Sequence, residues 1–214
     1  MSSITLHPTA EVRYVLRLAD MALILAQRLS EWCGHAPVLE EDIALTNMSL
    51  DLLGQSRALL THAGQLHAKA AGVAFNEDQL AFLREERDFL NPTLCELPNT
   101  ADDATHRRSR PGDFAFTVLR NLMVSTWLKL AWGRLTASCD PELAAIAAKA
   151  LKEARYHSNT MVIGWSAWVT APRSRMSACN ALWTACGRTC PSCLKTTRWT
   201  RRPPAMAGAP RPVS

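Results

Sequence analysis

Every carboxylate side chain in this protein lies at or before Glu153. Residues 1–157 of the 214 hold all 19 Asp and Glu and 16 of the 24 Lys and Arg, a net of 16 − 19 = −3. Residues 158–214 hold no acid and eight bases, a net of +8. A folded soluble domain carries about a quarter charged residues with both signs interspersed. Only the first stretch meets that description. Residues 1–157 are therefore expected to form the folded body and 158–214 a basic tail of another character. The tail also holds four of the seven Cys, four of the seven Trp and six of the 12 Pro, and the sequence pI near 9.0 belongs to it rather than to the body.

The body is long enough for one domain with a buried core. Glu11, Arg13, Arg17 and Asp20 interrupt its first apolar region, and no apolar run approaches the roughly 18 residues of a membrane span. No secretory signal, no membrane contact and a cytoplasmic location are expected. Cys33, Cys95 and Cys139 are scattered, as reduced ordinary residues are.

Helical periodicity dominates the body and strand signals are nearly absent. Residues 9–32 set Val12, Leu16, Met21, Leu23, Leu25 and Leu29 on one apolar stripe. His35-Ala36-Pro37 breaks that helix. Glu40, Glu41 and Asp42 load the start of the next, where acids favour a helix N-terminus. It is expected to reach about Ala71, with Ile43, Leu45, Leu50, Leu53 and Leu60 in the core and a break at Gly72. A short helix is predicted over Glu77 to Phe89, ended by Asn91-Pro92, then a long polar loop over 92–112. A third long helix should cover Asp113 to Thr136. Asp140-Pro141 caps a fourth that runs as ELAAIAAKALKEARYH to His157. Four long helices with a long connection between the second and third give an all-α, ferritin-like bundle layout.

Bundles of that layout can hold a di-iron centre. It needs a Glu from each of two helices and Glu-x-x-His from each of the other two. The first helix offers Asp20. The second offers Asp51-x-x-Gly54, and the fourth Glu153-x-x-Tyr156 with His157 at i+4, so neither has His at i+3. The third has no Asp or Glu between Phe114 and Cys139. Asp20, Asp51, Gly54, Glu153 and Tyr156 thus read as degenerate positions. The expectation is no metal in this chain, Asp51 and Glu153 solvated or partnered, and His157 at a helix end.

Three runs carry a family resemblance: LAQRLSEWCGHAPVLEEDIALTNMSLDLLGQSRALL (25–60), LAFLREERDFLN (80–91) and DPELAAIAAKALKEARYH (140–157). They resemble the C-type subunits of bacterial ring-1,2-phenylacetyl-CoA epoxidases, multicomponent monooxygenases of aerobic phenylacetate degradation. The likeness covers essentially the whole body, and EWCGHAP with LDLLGQ is its most specific part. It implies a non-catalytic structural subunit that pairs with a homologous catalytic A-type subunit holding the di-iron centre, within a hetero-oligomer. It also implies that phenylacetyl-CoA binds close to the pair. Asp88, Phe89, Leu90 and Asn91 match a family stretch associated with ligand contact; the same residues equally read as the end of a helix before Pro92. The surface of residues 25–60 is expected to face the partner. The alternative function is a di-iron oxygenase or oxidase in its own right.

The resemblance ends at His157. A basic tail with interleaved Trp could suit nucleic acid. Cys186, Cys190 and Cys193 look like part of a zinc site, but only Cys179 remains as a distant fourth ligand and no His follows His157. A third explanation is translation out of frame. Starting at the third base of each codon, with GC-rich choices, the codons after His157 can be read without a stop. That reading restores acids in RLGDGTEESHERMQRAVDGLWPY, which resembles the family's continuation. A frameshifted, unfolded tail on an incomplete bundle is the favoured expectation, with no nucleic-acid partner.

Overall fold

The computed structural model describes residues 3–99 and 114–169, with side chains as far as Gly164. Within these residues the chain is an all-helical bundle with no strand. Thr9 caps the first helix, α1 (Ala10–Ser30), its hydroxyl accepting from Val12 N at 3.3 Å. One face of α1 buries Val12, Leu16, Ala19, Leu25 and Leu29. After the turn through Gly34, the carboxylate of Asp42 accepts from the amides of Gly34 (2.7 Å) and Ala36 (3.3 Å), which sets the start of α2 (Leu39–Ala71). Gly72 ends α2 in the left-handed conformation, φ 74°, which glycine adopts without a Cβ clash.

The core of α2 differs from expectation. Leu45 and Leu60 are buried as foreseen, but Ile43, Leu50 and Leu53 are exposed. The buried row is Leu45, Met48, Leu52, Ser56 and Leu59. Apolar residues occur on both sides of α2, so periodicity alone could not say which row meets the bundle.

The short helix α3 (Glu77–Phe82) stops at Leu83 instead of reaching Phe89. Its start carries a reciprocal capping box between Asn76 and Gln79. Its end comes where Arg84 is drawn into a buried ion pair. A single 3₁₀ turn, Glu86–Asp88, follows, and Phe89 is extended. The expected loop contains one further turn of helix, α4 (Thr93–Glu96), which buries Cys95. The last two long helices are α5 (Phe114–Leu135) and α6 (Pro141–Val169). α6 passes through His157 without a break and runs on to Val169, so residues 158–169 are helical where an unfolded tail was expected. His157 is therefore not a helix-end residue but a buried one within the helix, and Ser158 and Met161 are buried beyond it.

α1 packs on α2, α5 on α6, and α2 on α6, while α4 bridges α1 and α5. Three side-chain pairs run down the α2–α6 seam in opposite sequence order: Asp51 with His157, Gln55 with Glu153, His62 with Asp140. The two helices are therefore antiparallel. Ala147, Ala150 and Ala154 are buried on α6, and their small size lets the helices approach closely. At one end of the bundle Trp32 donates to Thr117 Oγ1 (2.9 Å) and Thr117 donates to Asn99 (3.2 Å). Arg120 donates to Leu97 O (2.7 Å) and to Asn99 as well. This buried network pins the entry of the long connection onto α1 and α5.

Candidate functional site

Two polar arrangements meet residues singled out from the sequence. The first is the α2–α6 seam. Gln55 Nε2 donates to Glu153 Oε2 at 2.8 Å, and Glu153 also lies 3.8 Å from Lys149. His157 Nε2 and Asp51 Oδ2 are 3.0 Å apart. Asp51 and Glu153 are thus partnered side chains, as expected of them. The pairing uses i+4 spacing on both helices (51 and 55; 153 and 157), so Gly54 and Tyr156 fall off the seam and are exposed. On α5, the bundle-facing positions are Thr117, Asn121 and Ser125, all buried and none acidic. Among the described residues no three His, Cys, Asp or Glu side chains come together as ligands of a metal would. A dinuclear metal centre does not fit this donor set, because Gly54 and Tyr156 stand where the Glu-x-x-His pattern needs imidazoles and the bundle-facing positions of α5 supply no carboxylate.

The second arrangement is built on Asp20, which sits apart from that seam. Its carboxylate is fully buried and ion-paired to the equally buried guanidinium of Arg84. Asp20 Oδ2 accepts from Arg84 Nη1 and from the amide of Leu90, both at 3.0 Å. Arg84 also donates to Leu80 O, and its Nη1 lies 3.4 Å from Asp88 O. The guanidinium carbon sits 4.2 Å from the centre of the Phe89 ring. Thus Asp88, Phe89 and Leu90 each contact one buried ion pair, and Asn91 follows directly. Asn91 Oδ1 is buried without a hydrogen-bond partner among the described residues. A buried acceptor left unmet costs about 1–3 kcal/mol, so this segment is held in place with one acceptor uncommitted.

Sequence reasoning singled out Asp20 and Asp88–Asn91 separately and missed that they form one unit. Arg84 joins them, and its partner lies 64 residues away, beyond any local pattern. Arg120 was also missed. Burial lowers it to about 10, and burial raises the Cys95 thiol beside it to about 11. Burial pushes the Asp140 carboxyl up, but the amides of Leu143 and Glu142 and the His62 ring together hold it below its usual value.

The described residues form an all-helical bundle whose α2–α6 seam is closed by hydrogen bonds and whose segment after α3 is anchored on a buried ion pair. The chain belongs to the family described as Phenylacetic acid catabolic protein, which it matches over residues 2–188. It is 49% identical over 144 residues to the C-type subunit of the 1,2-phenylacetyl-CoA epoxidase of Escherichia coli (strain K12). That alignment covers 67% of this chain and 51% of the relative, so the chain spans about half the length of the curated protein it matches.

Proposed function

We propose that this protein is a non-catalytic structural subunit of a multicomponent phenylacetyl-CoA ring-epoxidising monooxygenase, acting in aerobic phenylacetate catabolism in the cytoplasm. It would brace a homologous catalytic subunit that carries the di-iron centre and would hold no metal itself. The observation that carries this reading is the closed α2–α6 seam, in a chain half identical to a C-type subunit over two thirds of its length: Asp51 and Glu153 are committed to His157 and Gln55, and α5 presents no carboxylate. The exposed row Leu39, Ile43, Leu50 and Leu53 on α2 supports a partner on the face of residues 25–60, since large apolar side chains gathered on one helix mark an interaction surface. No described helix is long and apolar enough to cross a membrane. The Asp88–Asn91 segment, fixed by the Asp20–Arg84 pair, would lie near the acyl-CoA held by the subunit pair.

The test is co-purification with the catalytic subunit followed by iron analysis of each separated chain. Iron in the partner alone agrees with the proposal. Close to two irons per copy of this chain would establish the alternative, a di-iron oxygenase or oxidase in its own right.

We also propose that residues 158–214 are read out of frame. Support comes from the loss of every carboxylate after Glu153. The burial of Ser158 and Met161 and the family match reaching residue 188 weigh on the other side for the first part of that stretch. The cysteines 179, 186, 190 and 193 lie outside the described residues. Sequencing the gene across the codons for Tyr156 to Thr160 decides the matter. An intact frame that also encodes this tail in related genomes would sink the idea.

A further inference from the structure

We propose that the outer face of α5 is the docking surface for an amphipathic helix encoded one reading frame over, by the codons of Cys179 to Cys193. The proposal rests on the out-of-frame reading of residues 158–214. Met123, Trp127 and Leu130 stand on the side of α5 opposite the buried Asn121, Leu128 and Trp132, and are 47%, 51% and 64% exposed. Leu119, half-buried, extends this stripe by one turn. Of the 22 residues of α5, only Arg120, Lys129 and Arg134 are charged. Arg120 is buried against Asn99 and Lys129 is half-buried, so α5 exposes a single charge, Arg134, near its end. The neighbouring α6 exposes Lys149, Lys152 and Arg155 instead. A helix that is apolar on opposite sides is one that is covered on both.

α6 brings the chain to that surface. Its later part lies by the start of α5, since a Cβ on Gly164 would sit 3.9 Å from Val118 Cγ1. A chain that turns back after α6 therefore runs along α5 from its N-terminal end. The genetic code fixes part of what that chain carries. Cys and Trp codons both begin with TG. Read from the third base of each codon, every Cys or Trp yields a codon ending in TG, which encodes Met, Leu or Val whatever its first base. Cys179, Trp183, Cys186, Cys190 and Cys193 follow one another at intervals of 4, 3, 4 and 3. In the shifted frame they become five apolar residues on one helical stripe, and no codon choice alters that. Two junctions are fixed outright. Trp183 with Thr184 gives GAC, an aspartate facing away from the stripe. Trp168 with Val169 gives GGT, a glycine where the chain must leave α6. At 1.5 Å per residue the stripe is about 21 Å long, enough to cover Leu119 to Leu130.

A single-base insertion after the His157 codon makes the shifted-frame chain. Leu130→Cys is placed in both chains, and iodoacetamide labelling is mapped against the exposed Cys33 and Cys139. In the shifted-frame chain the introduced thiol should label on the order of tenfold or more slowly than in the present chain, because a covered thiol is out of the reagent's reach. Adding Met123→Asp should restore fast labelling there and change nothing in the present chain. The peptide encoded by the shifted codons of 173–196, added to the present chain, gives the same readout without a new chain having to fold. Equal labelling with and without the shifted sequence overturns the proposal. Protection of the present chain that grows with its own concentration makes a second copy the occupant, and protection that requires the catalytic subunit makes that subunit the occupant; either overturns it too. Sequencing the gene separates the two readings. Protection by the shifted sequence with an intact frame in related genomes keeps the docking surface and sinks the frame reading, and a broken frame without protection does the reverse.

Discussion

Asp20 and Arg84 are the residues whose chemistry the rest of the chain has least freedom to change. Both side chains are fully buried, and the pair orders Asp88 to Leu90. Removing one partner of a buried ion pair strands the other charge, at a cost of about 3–5 kcal/mol. Asp20→Ala and Arg84→Ala should each lower the urea unfolding free energy by about that amount, and the two losses should not add. Replacing both by apolar side chains, Asp20→Leu with Arg84→Met, should recover most of it, because the packed apolar pair carries no desolvation penalty. Additive single losses, with no recovery in the double variant, would show that the pair is not coupled. Cys95 makes a second prediction at this scale. Burial holds its thiol up to about 11, and only the thiolate is the nucleophile. In the native protein, mapped iodoacetamide labelling at neutral pH should mark the exposed Cys33 and Cys139 well before Cys95.

At the scale of the element, α2 contains two glycines with opposite consequences. A Cβ on Gly64 would lie 2.1 Å from Phe75 O, a backbone atom, whereas one on Gly54 would meet nothing within 4 Å. Gly64→Ala should therefore destabilise by about 1–3 kcal/mol through overpacking against the turn that follows α2. Gly54→Ala should stabilise by about 0.5–1 kcal/mol through helix propensity alone. Thermal melts of the two variants check the signs. The start of α6 makes a prediction in pH. Asp140 caps the helix through Glu142 N (3.0 Å) and Leu143 N (3.2 Å) and meets His62 at 2.6 Å. Its folded pKa is lowered from 3.8, so the unfolded chain takes up a proton first as pH falls. The contribution of Asp140 to stability is therefore fully present above about pH 4 and lost as pH drops through the lower folded value. Asp140→Asn should flatten that part of the stability curve; an unchanged acid limb would refute the assignment.

For the whole molecule, the exposed apolar side chains matter most. Leu39, Ile43, Leu50 and Leu53 on α2 and Met123, Trp127 and Leu130 on α5 are large side chains left in water. The chain purified alone is expected to self-associate and to be poorly soluble, and co-expression with the catalytic subunit proposed as its partner should raise the soluble yield. Size-exclusion chromatography coupled to light scattering distinguishes these outcomes. A monodisperse, freely soluble monomer would contradict the expectation.

The helices of the body were legible because their limits rest on local chemistry: the Thr9 cap, the acids at 40–42, Gly72, the Asn76 box and Asp140-Pro141. That α5 would turn no carboxylate toward the bundle was legible too, since there is no Asp or Glu between Phe114 and Cys139. Where α3 stops, which row of α2 is buried, and that His157 faces Asp51 were settled by partners tens of residues away. Arg84 ends α3 because Asp20 on another helix takes its charge, and Leu45 rather than Ile43 is buried because α1 lies on that side. Local sequence determines where a helix can begin and how its apolar residues are spaced. Only tertiary packing decides which neighbour each face meets, because a buried charge or an apolar row gains free energy from its partner and not from its own segment.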